Sequence, residues 1–585
     1  MNYNLNKIIG EEKASNWKVI QKLVRLIREE RPTLFLAFLV IICNSGLQLI
    51  NPYIMGITID KYIVNKDYHG VLINAGIILC IALIAFCTAY AQARLMGGIG
   101  QRMLFKLRNT VFTKLQELPL AFFNQNKTGD LISRINNDTD KINQFFAQSL
   151  MQFIGTLSSI TIAAIFLLSI NFRLGVAALV PALLIFLFTR ATAGWIKEKN
   201  ARSLRTTGGL SSEIQESLNN FKVIIAFNRR DYFRKRFAQA NELNFHASKQ
   251  AGIANNIFIP VYGFFGSIAQ LIVLTVGIYL ISIGQFSIGL LVSYLSYANN
   301  FYQPLQRIAA LWTSFQLAMA AADRVSHILN MESDMRMIPA SSYEENGTAA
   351  EFRNVHFGYD AGGEILHHIN FSLKKGKTYA LVGPTGGGKT TTASLLARLY
   401  DPLQGEVLLD GRDIRSYSNE ERTKKIGFIL QEPILFTGTL RDNILYGNPQ
   451  YLNYSNAELE NVIREAGLER LLMGFDQGLE TPLGAAGGNI SLGQKQLIAF
   501  IRAVLRNPDL LILDEATANI DTITEQILGD ILRKLPKHTT RVIIAHRLNT
   551  IQNADEIFFV NAGELIRAGS FDHAVDMLMK GKRAS

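Results

Sequence analysis

Cysteine is scarce in this chain, with only three among 585 residues. Cys43, Cys80 and Cys87 all lie in apolar segments and follow no regular spacing. An odd number of cysteines at such positions predicts neither a disulfide framework nor a cysteine-based metal site. The N-terminus is polar and charged, and the first apolar segment starts only near Leu34. We therefore expect no cleavable signal peptide.

Acidic residues are fewer than basic ones, 48 against 59, so the formal net charge is +11. Such a surplus is common in nucleic-acid-binding proteins, but its location here indicates another cause. The basic residues concentrate at 102–141 and 197–236, two long connections between apolar segments. We therefore expect no nucleic acid partner. The length exceeds what one core accommodates, so two or more domains are expected.

Long apolar segments are absent from the second half of the chain and frequent in the first. Each has close to or more than the roughly 20 residues that cross a bilayer as a helix, which argues against a large soluble protein. Asn299, Asn300 and Gln303 make the last segment the least apolar. We expect these three residues to face the bundle interior or a cavity, and we count Tyr302 with them as a cavity residue. The six segments lie at about 34–57, 71–93, 146–169, 174–196, 254–282 and 285–311.

The distribution of basic residues predicts the orientation in the membrane. Because cytoplasmic connections are rich in Lys and Arg, both termini are expected in the cytoplasm, with Lys66 outside and Arg230 inside. The two basic connections are expected to continue the spans as long helices, with turns at 122–130 and 218–227. A basic amphipathic helix at 17–28 is expected to lie on the inner leaflet of the cell membrane.

The composition also predicts domain boundaries. Residues 1–325 form the expected transmembrane domain, and 326–345 are polar and irregular, as in a linker. From 346 to 585, short β-rich segments alternate with helical ones, which indicates an α/β domain with a mixed sheet.

A phosphate-binding loop is the most specific motif in the chain. The segment 383–390 reads GPTGGGKT and fits G-x-x-x-x-G-K-[ST] in full, between a predicted strand and a predicted helix. Its glycines allow backbone N–H groups to surround phosphate oxygens. Lys389 is expected to bridge the outer phosphates, and Thr390 is expected to bind Mg²⁺.

A second acidic element follows the apolar strand predicted at 510–513. Asp514 and Glu515 come at the carboxyl end of this strand, where sheets of this class bind ligands. Asp514 is suited to hold Mg²⁺, and Glu515 is suited to act as a general base toward the attacking water.

With the segments 489–496 (NISLGQKQ) and 502–505 (RAVL), the chain resembles the ATP-binding-cassette superfamily, specifically exporter half-transporters with a fused membrane domain. The resemblance covers nearly the whole chain, with six cassette motifs in the family's order. It implies a multi-domain membrane protein in which a six-helix all-α transmembrane domain is fused to an α/β cassette domain that binds ATP and Mg²⁺. It also implies ATP-driven export of amphipathic or lipid-like compounds of the multidrug type.

The resemblance implies a role for each motif residue. Tyr359 is expected to stack on adenine, Gln431 to contact Mg²⁺ or the water, and His546 to bridge Glu515 and the γ-phosphate. The implied catalytic residues are Glu515, His546 and Gln431, and the implied Mg²⁺ ligands are Thr390, Gln431 and Asp514. The implied nucleotide-binding residues are Tyr359, Gly383, Pro384, Thr385, Gly386, Gly387, Gly388, Lys389, Thr390, Thr391, Ser491, Gly493, Gln494 and Asp521.

Two further implications concern assembly. Ser491 and Gly493 are expected to contact the γ-phosphate held by the opposite cassette, and 518–521 is expected to cross the dimer seam. The segment 122–134 resembles the first intracellular coupling segment of the family. One chain carries one cassette, so a second half-transporter is required.

The sequence departs from the family pattern at three positions. Leu492 replaces the first glycine of the signature, Gly387 replaces a usual serine, and Ala485 stands where glutamate is common. A bulky side chain at 492 is expected to weaken the ATP site that this signature completes. We therefore expect one subunit of an asymmetric bacterial multidrug exporter, a heterodimer, with a homodimer as the alternative.

Two other functions remain open at this level. An ATP-gated channel or sensor would use the cassettes as a switch, but the intact Glu515 and His546 argue against pure binding. An importer on the same fold is also compatible with the sequence. The transported compound cannot be read from the residues.

Overall fold

The computed structural model describes residues 3–5, 30–339, 347–359, 363–484, 487–515, 522–544, 552–569 and 571–580. The chain forms two compact units. The first, the cassette unit, comprises Met1–Ile8, Glu117–Thr128 and Met331–Ser585. The second, the membrane unit, comprises Ile9–Gln116 and Gly129–Asn330. The amphipathic helix predicted at 17–28 lies outside the described residues.

The membrane unit is helical wherever its chain is described beyond short turns. Its helices are α1 (Arg31–Ile57), α2 (Tyr68–Gln116), α4 (Thr128–Ser133), α5 (Thr139–Gln144), α6 (Leu150–Ile170), α7 (Phe172–Asn219), α8 (Phe221–Ala226), α9 (Arg230–Asn256), α10 (Phe258–Ser282) and α11 (Ile288–Asn330). The short helix α3 (Leu120–Gln125) falls in the cassette unit. Wider π-helical turns at Thr58–Ile63, Arg134–Asp138 and Phe145–Ser149 continue the neighbouring helices.

Five helical stretches of the described chain are long and apolar enough to cross a membrane: Arg31–Ile63, Tyr68–Gln116, Thr128–Ile170, Phe172–Asn219 and Arg230–Ser282. They contain the first five predicted spans. The sixth predicted span falls mostly in α11, a helix of 43 residues that is not among these five stretches.

The helices extend well past the predicted spans. Helix α2 has 49 residues and α7 has 48, so each is about 72–74 Å long, more than twice the hydrocarbon thickness of about 30 Å. The predicted turns occur where α3 interrupts the chain after α2 and where α8 follows α7 at Phe221. Long helical extensions of the spans, expected from the sequence, are therefore present.

Three tyrosines of α11 explain part of its polar composition. Tyr297 donates to the carbonyl of Leu49 (2.8 Å), Tyr302 donates to the carbonyl of Ala178 (2.6 Å), and Tyr294 donates to the carbonyl of Asn171 (3.0 Å). All three tyrosines are buried. Tyr302 therefore does not line a cavity, contrary to the expectation, because its hydroxyl is used to bind α7.

Glycines bring α1 and α11 into close contact at one end of the membrane unit. A Cβ atom on Gly289 would lie 2.1 Å from the carbonyl oxygen of Gly56. The backbone N–H of Gly289 donates to Asp60 (2.7 Å), and the hydroxyl of Ser293 donates to the carbonyl of Pro52 (2.7 Å). Only glycine allows this approach of two backbones.

The strands of the cassette unit are β1 (Thr348–Phe357), β2 (Leu366–Lys374), β3 (Thr378–Val382), β4 (Gln404–Leu409), β5 (Arg412–Asp413), β6 (Ile426–Ile429), β7 (Gly438–Thr439), β8 (Pro482–Leu483), β9 (Leu510–Asp514), β10 (Thr540–Ile544), β11 (Glu556–Asn561) and β12 (Glu564–Arg567). They form two larger sheets. The antiparallel sheet has the order β2–β1–β4–β5, and the six-stranded sheet has the order β12–β11–β3–β10–β9–β6, parallel except for β12. A small pair joins β7 and β8.

The central strands of the parallel sheet are buried; the antiparallel sheet shares the core on one of its faces, and helices surround it. They are α12 (Lys389–Leu396), α13 (Asn419–Lys425), α14 (Leu440–Leu445), α15 (Asn456–Glu465), α16 (Glu469–Leu472), α17 (Leu492–Val504), α18 (Thr522–Lys534) and α19 (Phe571–Lys580). The predicted mixed α/β domain is confirmed. The order of the parallel strands places the ends of β3 and β9 on either side of β10, so that their following loops converge.

Candidate active site

The phosphate-binding loop joins β3 to α12. Gly383, Gly386 and Gly388 adopt positive φ angles of 144°, 82° and 112°, a region that residues with a side chain rarely occupy. A Cβ on Gly383 would also lie 2.0 Å from the carbonyl oxygen of Val560. Gly383 and Gly388, the two glycines that the motif requires, therefore allow the backbone turn. Gly383 also allows the loop to pack closely against β11.

The departure at Gly387 has a physical reason in this fold. A Cβ at this position would lie 2.6 Å from the carbonyl oxygen of Val560 and 3.1 Å from that of Pro384. Since both are backbone atoms, a serine would require the loop or β11 to shift. The close packing of the loop against β11 therefore requires a glycine at position 387.

Lys389 is the first residue of α12 and is only 5% exposed. Its ammonium group donates to the carbonyl oxygens of Gly383 (2.9 Å) and Pro384 (3.0 Å). These two hydrogen bonds fold the lysine side chain back over the phosphate-binding loop. Burial lowers the pKa of Lys389, and the nearby carboxylates of Glu515 and Asp514 oppose this shift. The two carboxylates therefore offset only part of the effect of burial on the Lys389 ammonium group.

Thr390 and Asp514 lie together at the start of α12 and the end of β9. The hydroxyl of Thr390 donates to Asp514 over 3.2 Å, and the side chain of Asp514 is buried. A hydroxyl and a carboxylate at this separation are the hard oxygen donors that Mg²⁺ prefers. The residues present therefore fit the predicted metal.

Glu515 follows directly after β9 and is paired with Gln431. The amide nitrogen of Gln431 donates to the Glu515 carboxylate over 2.6 Å. Glu515 has a φ of 46°, a left-handed conformation that is strained for a residue with a side chain. The backbone thus turns the carboxylate away from the buried strand and toward Gln431.

Tyr359, predicted to meet adenine, is 39% exposed at the end of β1. Its hydroxyl lies 3.1 Å from that of Thr391. Its ring packs edge-on against Phe357 and Tyr400, with both centroid distances at 5.0 Å. The ring is therefore anchored on the helix that follows the phosphate loop, and it keeps an accessible surface.

Tyr400 connects this aromatic group to α3. The side-chain amide of Asn124 donates to the Tyr400 hydroxyl over 2.7 Å. Phe122 of the same helix is fully buried, and its ring is edge-on to Tyr3, with centroids 6.4 Å apart. Sequence reasoning singled out the segment 122–134 by its resemblance to a coupling segment but did not single out Asn124 or Tyr400. Their adjacency to the Phe-Phe pair and the phosphate-loop helix was the available signal.

The signature segment begins α17. Ser491 caps the helix: its hydroxyl accepts from the N–H of Gln494 (3.1 Å), and the Gln494 side chain accepts from the N–H of Ser491 (2.9 Å). Ser491 is exposed, and so is Leu492, at 37%. A helix N-terminus of this kind favours anions. The leucine side chain occupies the same exposed helix end.

Several predicted residues lie outside the described chain, namely Asp521, the rest of 518–521, His546 and Ala485. Strand β10 nevertheless ends beside the site, because Ile544 is paired with Asp514. In the sequence, His546 follows two residues after Ile544. The other predicted groups form two clusters: the phosphate loop with Thr390, Asp514, Glu515 and Gln431, and the separate signature surface.

Known proteins with this arrangement identify the family. A family model described as "ABC transporter transmembrane region" matches residues 34–305, and one described as "ABC transporter" matches residues 366–518. The chain belongs to the ABC transporter family. It is an ATP-hydrolysing transporter with a helical transmembrane domain fused to a nucleotide-binding cassette.

Individual proteins support the same assignment. The chain is 35% identical to the uncharacterized ABC transporter ATP-binding protein YfiC of Bacillus subtilis, over 96% of this chain and 93% of that protein. It is 32% identical to a fatty acid ABC transporter ATP-binding/permease protein of Mycobacterium bovis, over 88% and 81% respectively. A bacterial Atm1-family ABC exporter with ATP bound superposes with a TM-score of 0.78 at 25% identity, covering 95% of this chain and 99% of that one.

Proposed function

We propose that this chain is one half of an exporter that moves amphipathic or lipid-like compounds across the cytoplasmic membrane, driven by ATP hydrolysis between two cassettes. The observation that carries the proposal is the contact of Gln431 with Glu515 (2.6 Å) next to the contact of Thr390 with Asp514 (3.2 Å). A general base and a cation-binding pair stand together beside the phosphate loop. A pure nucleotide-binding switch would not need the first of these pairs.

The residues divide the chemistry among them. Lys389 and the loop N–H groups bind the phosphates, and Tyr359 offers its ring to adenine. Glu515 accepts a proton from the water whose oxygen attacks the γ-phosphorus, and Gln431 orients this carboxylate; ADP leaves. Mg²⁺ held by Thr390, Asp514 and Gln431 would supply positive charge at the phosphate oxygens. His546 is assigned to the γ-phosphate by resemblance.

The second cassette completes each site. Ser491 accepts a hydrogen bond within its own cap, so its hydroxyl hydrogen is available to a phosphate oxygen of the opposite cassette, together with the N–H of Gly493. The Gln494 side chain holds this arrangement and has one further amide hydrogen to offer, since its nitrogen also donates to the carbonyl of Gly474 (2.8 Å). Asp521 belongs to the seam between cassettes. Closure on ATP and reopening after hydrolysis would then drive alternating access.

The partner is proposed to be a different chain. Leu492 crowds the helix end that completes the opposite site, whereas Lys389, Asp514 and Glu515 are intact in this chain. A heterodimer with one hydrolytic site accounts for both facts. A homodimer is the other possible assembly. Six spans with both termini and the cassette in the cytoplasm are proposed from the basic connections.

The proposed cargo is supported by two observations. The membrane unit supplies long apolar helices, and one relative is named as a transporter of fatty acids, which are amphiphiles. Inverted membrane vesicles containing the chain and its partner test the proposal. We expect a fluorescent amphiphile to accumulate inside against its gradient with ATP and not with a nonhydrolysable analogue. Lys389→Ala serves as the inactive control. Flux that only dissipates a gradient would instead indicate a gated channel, and ATP-driven extrusion from these vesicles would indicate an importer.

A further inference from the structure

The face of α11 that points away from its own unit is polar. Along the helix, Leu291, Tyr294, Ala298 and Phe301 are buried in the membrane unit. Residues on the opposite side are exposed or half-buried, and in the stretch from Ser296 to Arg307 every one of them is polar. This polar face consists of Ser296, Asn299, Asn300, Gln303, Gln306 and Arg307.

The most exposed members form a line along the helix. Asn299, Gln303 and Arg307 are spaced four residues apart, so they project from successive turns over about 12 Å. Their side chains make no hydrogen bond or ion pair with any residue that the structure describes. Hydrocarbon does not tolerate such a line of unpaired polar groups. The polar face must therefore meet water, a transported compound or a partner chain.

The charged residues inside the predicted membrane spans are all positive. Within the six predicted spans the only charged residues are Arg190 and Arg307. The sequence has no acidic residue between Glu242 and Asp323, so α10 and the membrane part of α11 carry no carboxylate. Arg307 is thus a cation with no acidic residue on these two helices to neutralise it. A guanidinium group in a low-dielectric setting attracts anions strongly and matches carboxylate and phosphate oxygens in a two-pronged geometry.

The depth of Arg307 suits a headgroup. It lies 19 residues after Ile288, the first residue of α11, which corresponds to about 28 Å along the helix. The hydrocarbon layer is about 30 Å thick. With Ile288 near the outer surface, Arg307 reaches the level of the inner-leaflet headgroups, while Gln303 and Asn299 lie deeper on the same face. A compound entering from the cytoplasmic side would present its polar end there.

We propose that the polar face of α11 lines the transport cavity and that Arg307 selects compounds in which an apolar body carries an anionic group, a carboxylate or a phosphate. This inference rests on the proposed export function and names its substrate class. Arg307 is a specificity-determining residue, and it acts by charge complementarity. The amides of Asn299 and Gln303 provide a polar path from it toward the centre of the membrane.

Three probes that differ only in charge test the proposal. Each has one NBD fluorophore on a dodecyl chain, ending in a carboxylate, a hydroxyl or an amine. Binding to the purified full-length complex without ATP is measured first, and ATP-dependent uptake into inverted vesicles second. We expect the carboxylate probe to bind about tenfold more tightly than the hydroxyl probe, as for one partly shielded charge-assisted contact.

Variants at one position then isolate the charge. Arg307→Gln should remove most of the preference for the carboxylate, Arg307→Lys should keep most of it, and Arg307→Glu should favour the amine. The thermal midpoint of each variant shows that it is folded. Nanodiscs with and without phosphatidylglycerol show whether the phosphate of a bilayer lipid competes for the same site; competition lost in Arg307→Gln supports the proposal.

The outcomes separate this inference from the proposed function. Equal binding of the three probes, or an unchanged preference in Arg307→Gln, overturns the inference even if uptake is ATP-driven. A preference that depends on Arg307 supports the inference even if no probe accumulates, in which case the export function fails. A variant that weakens subunit association and leaves the binding ratios unchanged would show that a partner chain covers the face, and this also overturns the inference.

Discussion

The side-chain amide of Asn124 donates a 2.7 Å hydrogen bond to the hydroxyl of Tyr400. Asn124 belongs to α3, and Tyr400 packs edge-on against Tyr359, the residue expected to contact adenine. Burial raises the pKa of the Tyr400 hydroxyl, which keeps it protonated. One aromatic ring and one hydrogen bond therefore connect the expected nucleotide contact, Tyr359, to the segment that resembles a coupling segment.

Asn124→Ala should impair coupling. The substitution removes a hydrogen bond with a net value of about 0.5–1.5 kcal/mol and leaves the Tyr400 hydroxyl without its donor. We expect the number of molecules transported per ATP hydrolysed to fall severalfold, with ATP affinity nearly unchanged. The measurement is the ratio of initial uptake to phosphate release. Lys127→Ala, an exposed change in the same segment, is the control and should have little effect.

Glu515→Gln should bind ATP and hydrolyse it very slowly. Loss of a general base typically reduces the rate by about 10²–10⁴, and the amide can still contact Gln431. Phosphate release by the purified complex measures the rate, and nucleotide binding is measured in parallel. A hydrolysis rate close to that of the unaltered protein would remove Glu515 from the proposed role.

Orientation can be tested with single cysteines. Cys43, Cys80 and Cys87 are first replaced, and Lys66→Cys and Arg230→Cys are then made separately. Lys66 is exposed in the turn before α2, and Arg230 is exposed at the start of α9. In intact cells we expect an impermeant maleimide to label only the variant at 66, because the basic connections lie in the cytoplasm. The opposite labelling would reverse the proposed topology.

Leu492→Gly should raise activity when this chain assembles with itself. Leu492 is exposed at the start of α17, where a phosphate of the opposite cassette is expected. Glycine restores a close backbone approach. We expect the purified chain alone to be a poor ATPase and the variant to be severalfold faster. The matched change Leu452→Gly, at an exposed leucine away from the signature, should not increase the rate. Vigorous hydrolysis by the unaltered homodimer would show that no different partner is needed.

Gly289→Ala should destabilise the membrane unit. The added methyl group would meet the backbone of Gly56 at 2.1 Å, and overpacking of this kind costs about 1–3 kcal/mol. We expect a lower thermal midpoint in detergent. Gly263→Ala, in α10, has no heavy atom within 4 Å of the added carbon, and its midpoint should be unchanged or slightly higher. Equal midpoints for the two variants would contradict the close helix contact.

The sequence predicted the positions of the phosphate loop, Asp514 and Glu515 at strand ends because each of these motifs is local. The phosphate loop, Asp514 and Glu515 each follow a strand, and a strand end specifies where the next side chain lies. Resemblance named Gln431 only as a contact of Mg²⁺ or the water. Its pairing with Glu515, 84 residues apart in the chain, was not predicted, because it depends on the neighbouring positions of β6 and β9. The contact between Asn124 and Tyr400 spans 276 residues, and no local pattern encodes such a separation.

For the membrane helices, the sequence predicted position but not orientation. Apolar length predicted their positions, but it did not indicate which side of α11 is buried. Tyr302 was grouped with Asn299 and Gln303. Its ring lies instead on the buried face of the helix, and its hydroxyl donates a hydrogen bond to the carbonyl of Ala178. Arg307, one turn beyond Gln303, was overlooked because the polar face is recognised only after the buried face is known.

The tyrosine hydroxyls of α11 also bear on the order in which the bundle is completed during synthesis. Tyr297 caps a carbonyl of α1, Tyr302 a carbonyl of α7, and Tyr294 the carbonyls that end α6. These acceptors are made by the ribosome well before their donors, since α11 is the last membrane helix to emerge. The earlier helices therefore enter the bilayer with these contacts unmade, and the final helix closes the bundle around itself. A nascent chain that stops before Tyr294 would lack all three connections.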